Sequence, residues 1–382
     1  MRLIIFLIKK HLKVFLNNIY YPEKLTCYPA EKQKSKPRIF LDNLIWLLRF
    51  HHANEYYYLW GFDRKNYEQY KQKYINGKLC RKVINRKKRE LCPNFESYDI
   101  IIHDKFIASQ YIESLGFPVP KTIALINNNS ILLPKSGKEL PLDCLLTEKK
   151  RIFRDCICKP VADEKGHGVF HLKIKRGSLF LNNNRFEFRQ LPNLFSSSKY
   201  IIQERVIQHK NMAALNPHCV NTIRLVTCIH KGDVVPFSAV VRIGRKGNIT
   251  DNWDTGGIFV GVDIEKGCLK KDGFTMEINV GKRYEIHPET AIKFHGYKIP
   301  FCNQAINLAV KLHKYFYCTH SIGWDIAITP KGPVFIECNQ GWSPYTHLLV
   351  EDNFMDKFRE MFSGKQVASQ SHHGTVAGNE IP

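Results

Sequence analysis

Apolar positions in this chain follow two different spacings from residue 104 onward. Eight segments of strand length are apolar throughout or in alternation, namely residues 122–126, 156–159, 169–174, 200–203, 222–229, 234–243, 322–328 and 334–338. Helical spacing lies between some of them and is clearest at residues 306–313. Turn sequences at residues 231–233 and 330–332 link neighbouring segments. The pattern therefore predicts an α+β architecture with antiparallel hairpins.

A short amphipathic helix is predicted directly ahead of the first of these strands. Asp104 is suited to cap its N-terminus and Gly116 to end it. Its apolar residues Ile107, Tyr111 and Leu115 follow one another at intervals of about one helical turn. The following residues 117–120 contain two prolines, which favour an extended exit.

The chain begins with an apolar run, residues 3–8, that Lys9 and Lys10 interrupt. The run is too short to span a bilayer and lacks the small-residue cleavage site of a secretory signal. Two interpretations stay open for residues 1–16, a basic amphipathic helix on a membrane surface and a helix packed on the main body. We expect a cytoplasmic protein, with peripheral contact at the inner face of the membrane as the alternative.

The composition is that of an ordinary soluble protein, since 44% of the residues are hydrophobic and 24% are charged. The length of 382 residues exceeds the size of a usual single core, so we expect two or three lobes. Its 12 cysteines form no CxxC pair, which is typical neither of a disulfide framework nor of a zinc site. A reducing compartment fits best. Cys156 and Cys158 share a face of their strand, where we expect half-buried thiols.

The net charge of +22, from 57 Lys and Arg against 35 Asp and Glu, favours anionic partners. These include nucleotide phosphates, acidic sugars and anionic lipids. No nucleic-acid motif accompanies the charge, so a nucleic-acid partner is not expected. The basic run at residues 78–89 is interpreted as a solvated face, with contact to an anionic polymer or lipid phosphate as the alternative.

The predicted hairpin at residues 321–339 carries the strongest candidate chemistry. Asp325 and Glu337 lie at equal distances from the turn at Lys331, so antiparallel pairing makes them cross-strand neighbours. Glu337 and Asn339 share strand parity. Two carboxylates and an amide suit magnesium, whereas acids facing water on an edge hairpin are the alternative. A one-residue change of register would place Asp325 on the other face.

A lysine at the end of another strand is the second candidate. Lys159 precedes a loop that contains Gly166 and Gly168. A lysine there can contact a phosphate while loop amides close over it. The alternative is a surface lysine before a turn.

Several ordered segments together resemble the ATP-grasp superfamily. They are Asp104-Lys105 with residues 116–120, Cys158-Lys159-Pro160, residues 203–206, and Asp325 with residues 337–339. Residues 221–227, 241–244 and 251–257 are similar to the family associated with sugar transfer and surface polysaccharides, a relative of the glutamate-adding ligases. The resemblance implies two α+β lobes that clasp ATP. It covers about residues 101–350 and says little about residues 1–98.

The resemblance also implies a domain order and a role for each site residue. We expect an atypical basic and aromatic region (1–98), an N-terminal lobe (99–199), a C-terminal lobe with the magnesium site (200–362) and a disordered tail (363–382).

The implied ATP contacts are Lys105 and Lys159 with phosphates, and Gln203, Glu204 and Val206 with adenine. Arg242 and Asn252 would face the γ-phosphate and the developing acyl phosphate, and Asp325, Glu337 and Asn339 would bind two Mg²⁺ ions, with Mn²⁺ as an alternative. Arg224 is placed near ATP or substrate, or else faces outward from its strand.

The activity that the resemblance implies is an ATP-dependent carboxylate–amine ligase working through an acyl phosphate. Its partners would be ATP, a small-molecule or glycan carboxylate, and an amine, with a surface-polysaccharide precursor as the expected substrate. In-line phosphoryl transfer needs positioning and charge neutralisation, so no nucleophilic side chain is required. The alternatives are a phosphotransferase on the same scaffold and a non-catalytic, basic anion-binding protein.

Overall fold

The computed structural model of the protein describes most of the chain. The described residues are 2–20, 25–65, 77–94, 100–127, 130–144, 153–162, 167–175, 178–196, 198–245, 247–248, 250–251, 256–276 and 281–363. The predicted site residue Asn252, the loop residue Gly166 and the predicted tail after residue 363 lie outside them. Helices with bounds inside these ranges are α1 (Arg2–Tyr20), α2 (Lys36–Phe50), α3 (Gly77–Leu91), α4 (Lys105–Ser114), α5 (Leu191–Phe195), α6 (Lys210–Leu215), α7 (Cys302–His313), α8 (Pro344–Val350) and α9 (Phe354–Ser363).

One antiparallel sheet of eight strands is formed by the middle of the chain. Its strands are β1 (Thr122–Asn127), β2 (Ser130–Leu133), β3 (Lys138–Pro141), β4 (Asp155–Pro160), β5 (Phe170–Lys175), β6 (Ser178–Leu181), β7 (Asn184–Phe186) and β8 (Tyr200–Glu204), in the order β3-β2-β1-β8-β4-β5-β6-β7. Alternate residues of β4 are buried, as period-2 patterning requires. Cys156 and Cys158 are fully buried in this core, so the expectation of half-buried thiols was wrong. Both thiols have a raised pKa because burial disfavours the thiolate.

A second antiparallel sheet of seven strands follows. It contains β9 (Thr222–His230), β10 (Asp233–Ile243), β11 (Ile258–Asp263), β12 (Cys268–Phe274), β13 (Arg283–Tyr284), β14 (Ser321–Thr329) and β15 (Gly332–Asn339), in the order β13-β12-β11-β10-β9-β14-β15. All eight predicted strands are confirmed within these two sheets. The predicted turn between β9 and β10 has positive φ at Lys231 and Gly232, and Gly332 (φ 118°) ends the turn between β14 and β15.

One face of the second sheet packs on helices. Alternate residues of β9, among them Ile223 and Leu225, form a core with Ala309 and Leu312 of α7. The predicted helix at α4 is confirmed, and it packs on the same core through Ile112. Asp104 caps α4 by accepting hydrogen bonds from two backbone N–H groups of its first turn.

The opposite face of this sheet changes character along β9. Thr222 and Arg224 line a cavity, whereas Val226 and Cys228 pack against α3, α8, α9 and aromatic side chains of residues 56–62. The N-terminal region, together with α8 and α9, therefore covers the half of the face that adjoins the cavity.

Helix α1 packs on the body through its described side chains. Val14 is buried, the Asn18 amide donates to Asn43 Oδ1 (2.9 Å), and Lys10 pairs with Glu55 (2.8 Å). These contacts agree with the packed-helix interpretation of the N-terminus. Within the described residues, no helix is both long enough and apolar enough to cross a lipid bilayer.

Candidate active site

A cavity of about 780 Å³ is lined by residues of both sheets and of the segments that connect them. Every predicted site residue that the structure describes lines it. They are Lys105, Lys159, Gln203, Glu204, Val206, Arg224, Arg242, Asp325, Glu337 and Asn339. Tyr56 and Arg81 of the N-terminal region line the same cavity. Residues distant in sequence thus share one concave surface, the usual setting of a small-molecule site.

Strand register explains why the polar side chains of the second sheet meet. Asp325 on β14 pairs with Arg224 on β9 on one side and with Glu337 on β15 on the other. Directly paired residues of antiparallel strands project from the same face. The predicted cross-strand pairing of Asp325 with Glu337 is confirmed, and a bulge follows it at Ile326.

Two arginines bind the Asp325 carboxylate. Arg224 donates from Nε to Oδ1 and from Nη2 to Oδ2 (2.9 Å), and Arg242 Nη2 lies 2.9 Å from Oδ2. The Asp325 side chain is only 2% exposed, which opposes its charge, but the two guanidinium groups hold its pKa below the ordinary value. Arg224 therefore faces the cavity, and the outward-facing alternative for it was wrong.

A third acid, Asp251, belongs to this cluster and was missed at the sequence level. Its carboxylate accepts from the backbone N–H (2.9 Å) and hydroxyl (2.5 Å) of Thr222 and lies 3.2 Å from Arg242 Nη2. Burial raises the pKa of Asp251, although Arg242 opposes that shift. Its position directly before Asn252, in the segment 251–257 that carries the resemblance, is the sequence feature that could have identified it.

Lys159 reaches the cavity from β4 and is held by an amide. Its Nζ donates to Gln203 Oε1 (3.2 Å), and the Gln203 amide nitrogen donates to Ser109 Oγ (3.1 Å). Burial lowers the pKa of Lys159. Because its hydrogen-bond partner, the Gln203 amide, is neutral, the Lys159 ammonium group can still bind an anion. The Lys159 side chain lines the cavity, which contradicts the alternative of a surface lysine before a turn.

The loop after Lys159 requires glycine at residue 168. Gly168 has φ of +69°, and an added Cβ would lie 2.8 Å from the Pro160 ring and 3.1 Å from the Tyr200 hydroxyl. The backbone at residue 168 therefore passes against the Pro160 ring at the end of β4, where there is no room for a side chain.

Two further predicted residues lie apart from the arginine cluster. Lys105 Nζ lies 3.7 Å from Glu337 Oε1, which links α4 to β15. The Glu204 side chain is exposed and pairs with Lys121 (3.2 Å), while its backbone N–H donates to the Lys121 carbonyl (3.0 Å). Adenine contacts by residues 203–206 stay a prediction.

A family model described as sugar-transfer associated ATP-grasp matches residues 87–353, which is more than half of the chain. The chain belongs to this ATP-grasp family. Among curated proteins, none matches it.

Solved structures give more distant likenesses. D-alanine–D-alanine ligase from Helicobacter pylori matches at 14% identity and TM-score 0.39, over 70% of this chain and 60% of that one. The biotin carboxylase domain of 2-oxoglutarate carboxylase from Hydrogenobacter thermophilus matches at 14% and 0.39, over 70% and 46%. N5-carboxyaminoimidazole ribonucleotide synthetase from Thermotoga maritima matches at 13% and 0.33, over 63% and 42%. The chain spans less than two thirds of each of these structures.

Magnesium, which the resemblance implies for this ATP-grasp protein, fits part of the predicted ligand set. The Asn339 amide nitrogen is buried without a hydrogen-bond partner among the described residues, so rotating the amide would present an oxygen there instead. Glu337 adds a carboxylate that is 30% exposed to the cavity. Asp325 differs, since two arginines already occupy its oxygens. Within the described residues, no group of three or more His, Cys, Asp or Glu side chains could hold a metal ion.

A buried amide network supports the end of β15 and was also missed at the sequence level. Lys88 Nζ donates to Gln340 Oε1 (2.8 Å) and to the Gln340 carbonyl (3.2 Å), and Gln340 Nε2 donates to His103 Nε2 (2.9 Å). Lys88 is 3% exposed, so the basic run of α3 is not a uniformly solvated face as predicted. Gln340 therefore connects α3, the end of β15 and the segment that precedes α4, close to Asn339 and Lys105 in sequence.

Proposed function

We propose that this ATP-grasp protein is an ATP-dependent carboxylate–amine ligase that acts through an acyl phosphate on a sugar or surface-polysaccharide precursor. The observation that carries the proposal is the convergence of Lys105, Lys159 and the Asp325 arginine pair on one cavity. Such a surface suits a polyphosphate beside a second anionic substrate.

In the proposed reaction, a substrate carboxylate oxygen attacks the γ-phosphorus and the bond to ADP breaks. The amine then attacks the acyl carbon, and phosphate and a proton leave. Mg²⁺ held by Glu337 and Asn339 would supply positive charge at the phosphates, whereas Asp325, the third predicted ligand, binds Arg224 and Arg242.

The protein's own residues would position the reactants. Lys105 and Lys159 would bind phosphate oxygens. Arg242, whose guanidinium is fixed by Asp325 and Asp251, would face the transferred group with little loss of side-chain freedom. Gln203, Glu204 and Val206 would meet adenine, Asn252 would assist at the acyl phosphate, and Arg224 would lie near substrate.

The deciding experiment combines purified protein, ATP and Mg²⁺ with pooled uronic acids and amino acids. A ligase releases ADP and free phosphate, and mass spectrometry detects a condensation product. A phosphorylated product without free phosphate would refute ligation in favour of phosphotransfer. Absence of any ATP turnover with a broad substrate pool would contradict the catalytic proposal.

The metal assignment has its own variant. Glu337→Ala should abolish ADP release while the thermal unfolding midpoint stays close to that of the wild type. Glu265→Ala, at an exposed turn away from the cavity, is the matched control and should retain activity. ADP release by Glu337→Ala at the wild-type rate would refute the assignment of Glu337 as a metal ligand.

A further inference from the structure

Two packed helices of the N-terminal region expose an apolar surface, called the α1–α2 face. It consists of Leu12 (54% exposed), Leu16 (38%) and Tyr20 (68%) on α1, and Phe40 (43%), Leu41 (42%), Ile45 (52%) and Leu48 (68%) on α2. These are half of the exposed large hydrophobic side chains found among the described residues. Single exposed apolar residues are ordinary, but a cluster of this size indicates an interaction surface.

The spacing places the exposed residues in one stripe on each helix. On α1 they recur every four residues, and on α2 the spacing of Leu41, Ile45 and Leu48 is four and then three. Val14 and Asn18, on the opposite side of α1, are buried against the body. The helices contact each other through Phe15 and Phe40, whose ring centroids lie 5.9 Å apart. Each stripe is therefore exposed on the side of its helix that faces away from the body, and the two helices contact each other.

The exposed charged side chains described on the two helices are basic, and Lys10 of α1 pairs with Glu55. The exposed charged residues near the stripes include Lys13, Lys36 and Arg49, and α1 contains no acidic residue. The one acid of α2, Asp42, is 6% exposed and is bound by Lys34. An apolar stripe with basic flanks matches the boundary between acyl chains and anionic headgroups.

We infer that the α1–α2 face is a docking surface for an anionic lipid bilayer, on which both helices lie in the membrane plane. The interaction needs neither ATP nor the cavity, so it stands independently of the proposed ligase activity. The occupant is a bilayer because exposed apolar stripes on two contacting helices, which also carry exposed lysine and arginine, match a broad anionic surface.

The test is cosedimentation of the full chain with vesicles. Vesicles of equal parts phosphatidylcholine and phosphatidylglycerol should bind the wild type, and phosphatidylcholine alone should bind it weakly. Replacing Leu41, Ile45 and Leu48 together with Gln should weaken binding at least about tenfold. Each of Lys13→Gln and Lys36→Gln should weaken it by about fivefold at low salt.

Controls separate this face from general stickiness and from misfolding. Ile100→Gln and Ile286→Gln remove exposed apolar side chains elsewhere and should leave binding unchanged. Leu12→Gln with Leu16→Gln tests the α1 stripe separately, so loss of folding in one variant leaves the other to decide. Equal binding of stripe variants and wild type would overturn the inference. So would a wild type that ignores anionic vesicles and instead forms a dimer that the stripe variants abolish.

Discussion

Acidification should destabilise this protein through His313, a fully buried residue at the end of α7. The Thr227 hydroxyl lies 2.6 Å from His313 Nδ1 and also accepts a hydrogen bond from the Trp324 indole (2.7 Å). His313 Nε2 donates to the Thr319 carbonyl (2.7 Å), so in the neutral imidazole Nδ1 accepts from the Thr227 hydroxyl. Burial of the ring favours this neutral form of the imidazole.

The magnitude follows from the pKa. Burial lowers the pKa of His313 from 6.5 to about 4, although the Thr319 carbonyl partly opposes the shift. Because the folded pKa lies below the unfolded value, the contribution to stability is complete above pH 6.5 and is lost as the pH falls towards 4. The loss should reach about 2 kcal/mol near pH 5 and about 3 kcal/mol below pH 4.

The assay is urea unfolding of wild type and His313→Gln at neutral pH and near pH 5. The variant cannot take up this proton, so it should lose less stability than the wild type, by about 2 kcal/mol. His320 and His347 also have a lowered pKa because of burial and are present in both proteins. His313 contributes to the shift of His320, so only the effect of His347 cancels fully in the difference. The same loss in both proteins would refute the reasoning.

Three further predictions concern the cavity. Asp325→Asn leaves the Arg224 guanidinium without a carboxylate and Arg242 with Asp251 alone, so the free energy of unfolding should fall by about 3 kcal/mol in urea titrations; unchanged stability would contradict the arrangement. ATP binding should raise the lowered pKa of Lys159, so calorimetry in different buffers should detect proton uptake at alkaline pH, which Lys159→Met should abolish. Lys88→Met and Gln340→Met should each weaken MgATP binding about tenfold, and the double variant should bind no more weakly than either single variant. Lys82→Met, at an exposed position of the same helix, is the control. Additive losses in the double variant would disprove a shared network.

Local sequence was sufficient for the elements and for part of the site. The Asp104 cap and the turn at Lys231-Gly232 depend on residues a few positions apart, and their patterns predicted the observed geometry. The β14–β15 hairpin was predictable for the same reason, because its short turn sets the register that pairs Asp325 with Glu337. Family resemblance then selected the residues that line the cavity.

Tertiary structure alone decided what Asp325 contacts and what the N-terminal region does. Arg224 precedes Asp325 by 101 residues and reaches it because β9 is inserted beside β14. Lys88 and Gln340 are 252 residues apart and meet only when α3 packs on the sheet. Hydrophobic periodicity reports which face of an element is buried, but it does not report which distant element covers that face. The partners of a buried charge therefore depend on long-range packing, which local sequence patterns do not encode.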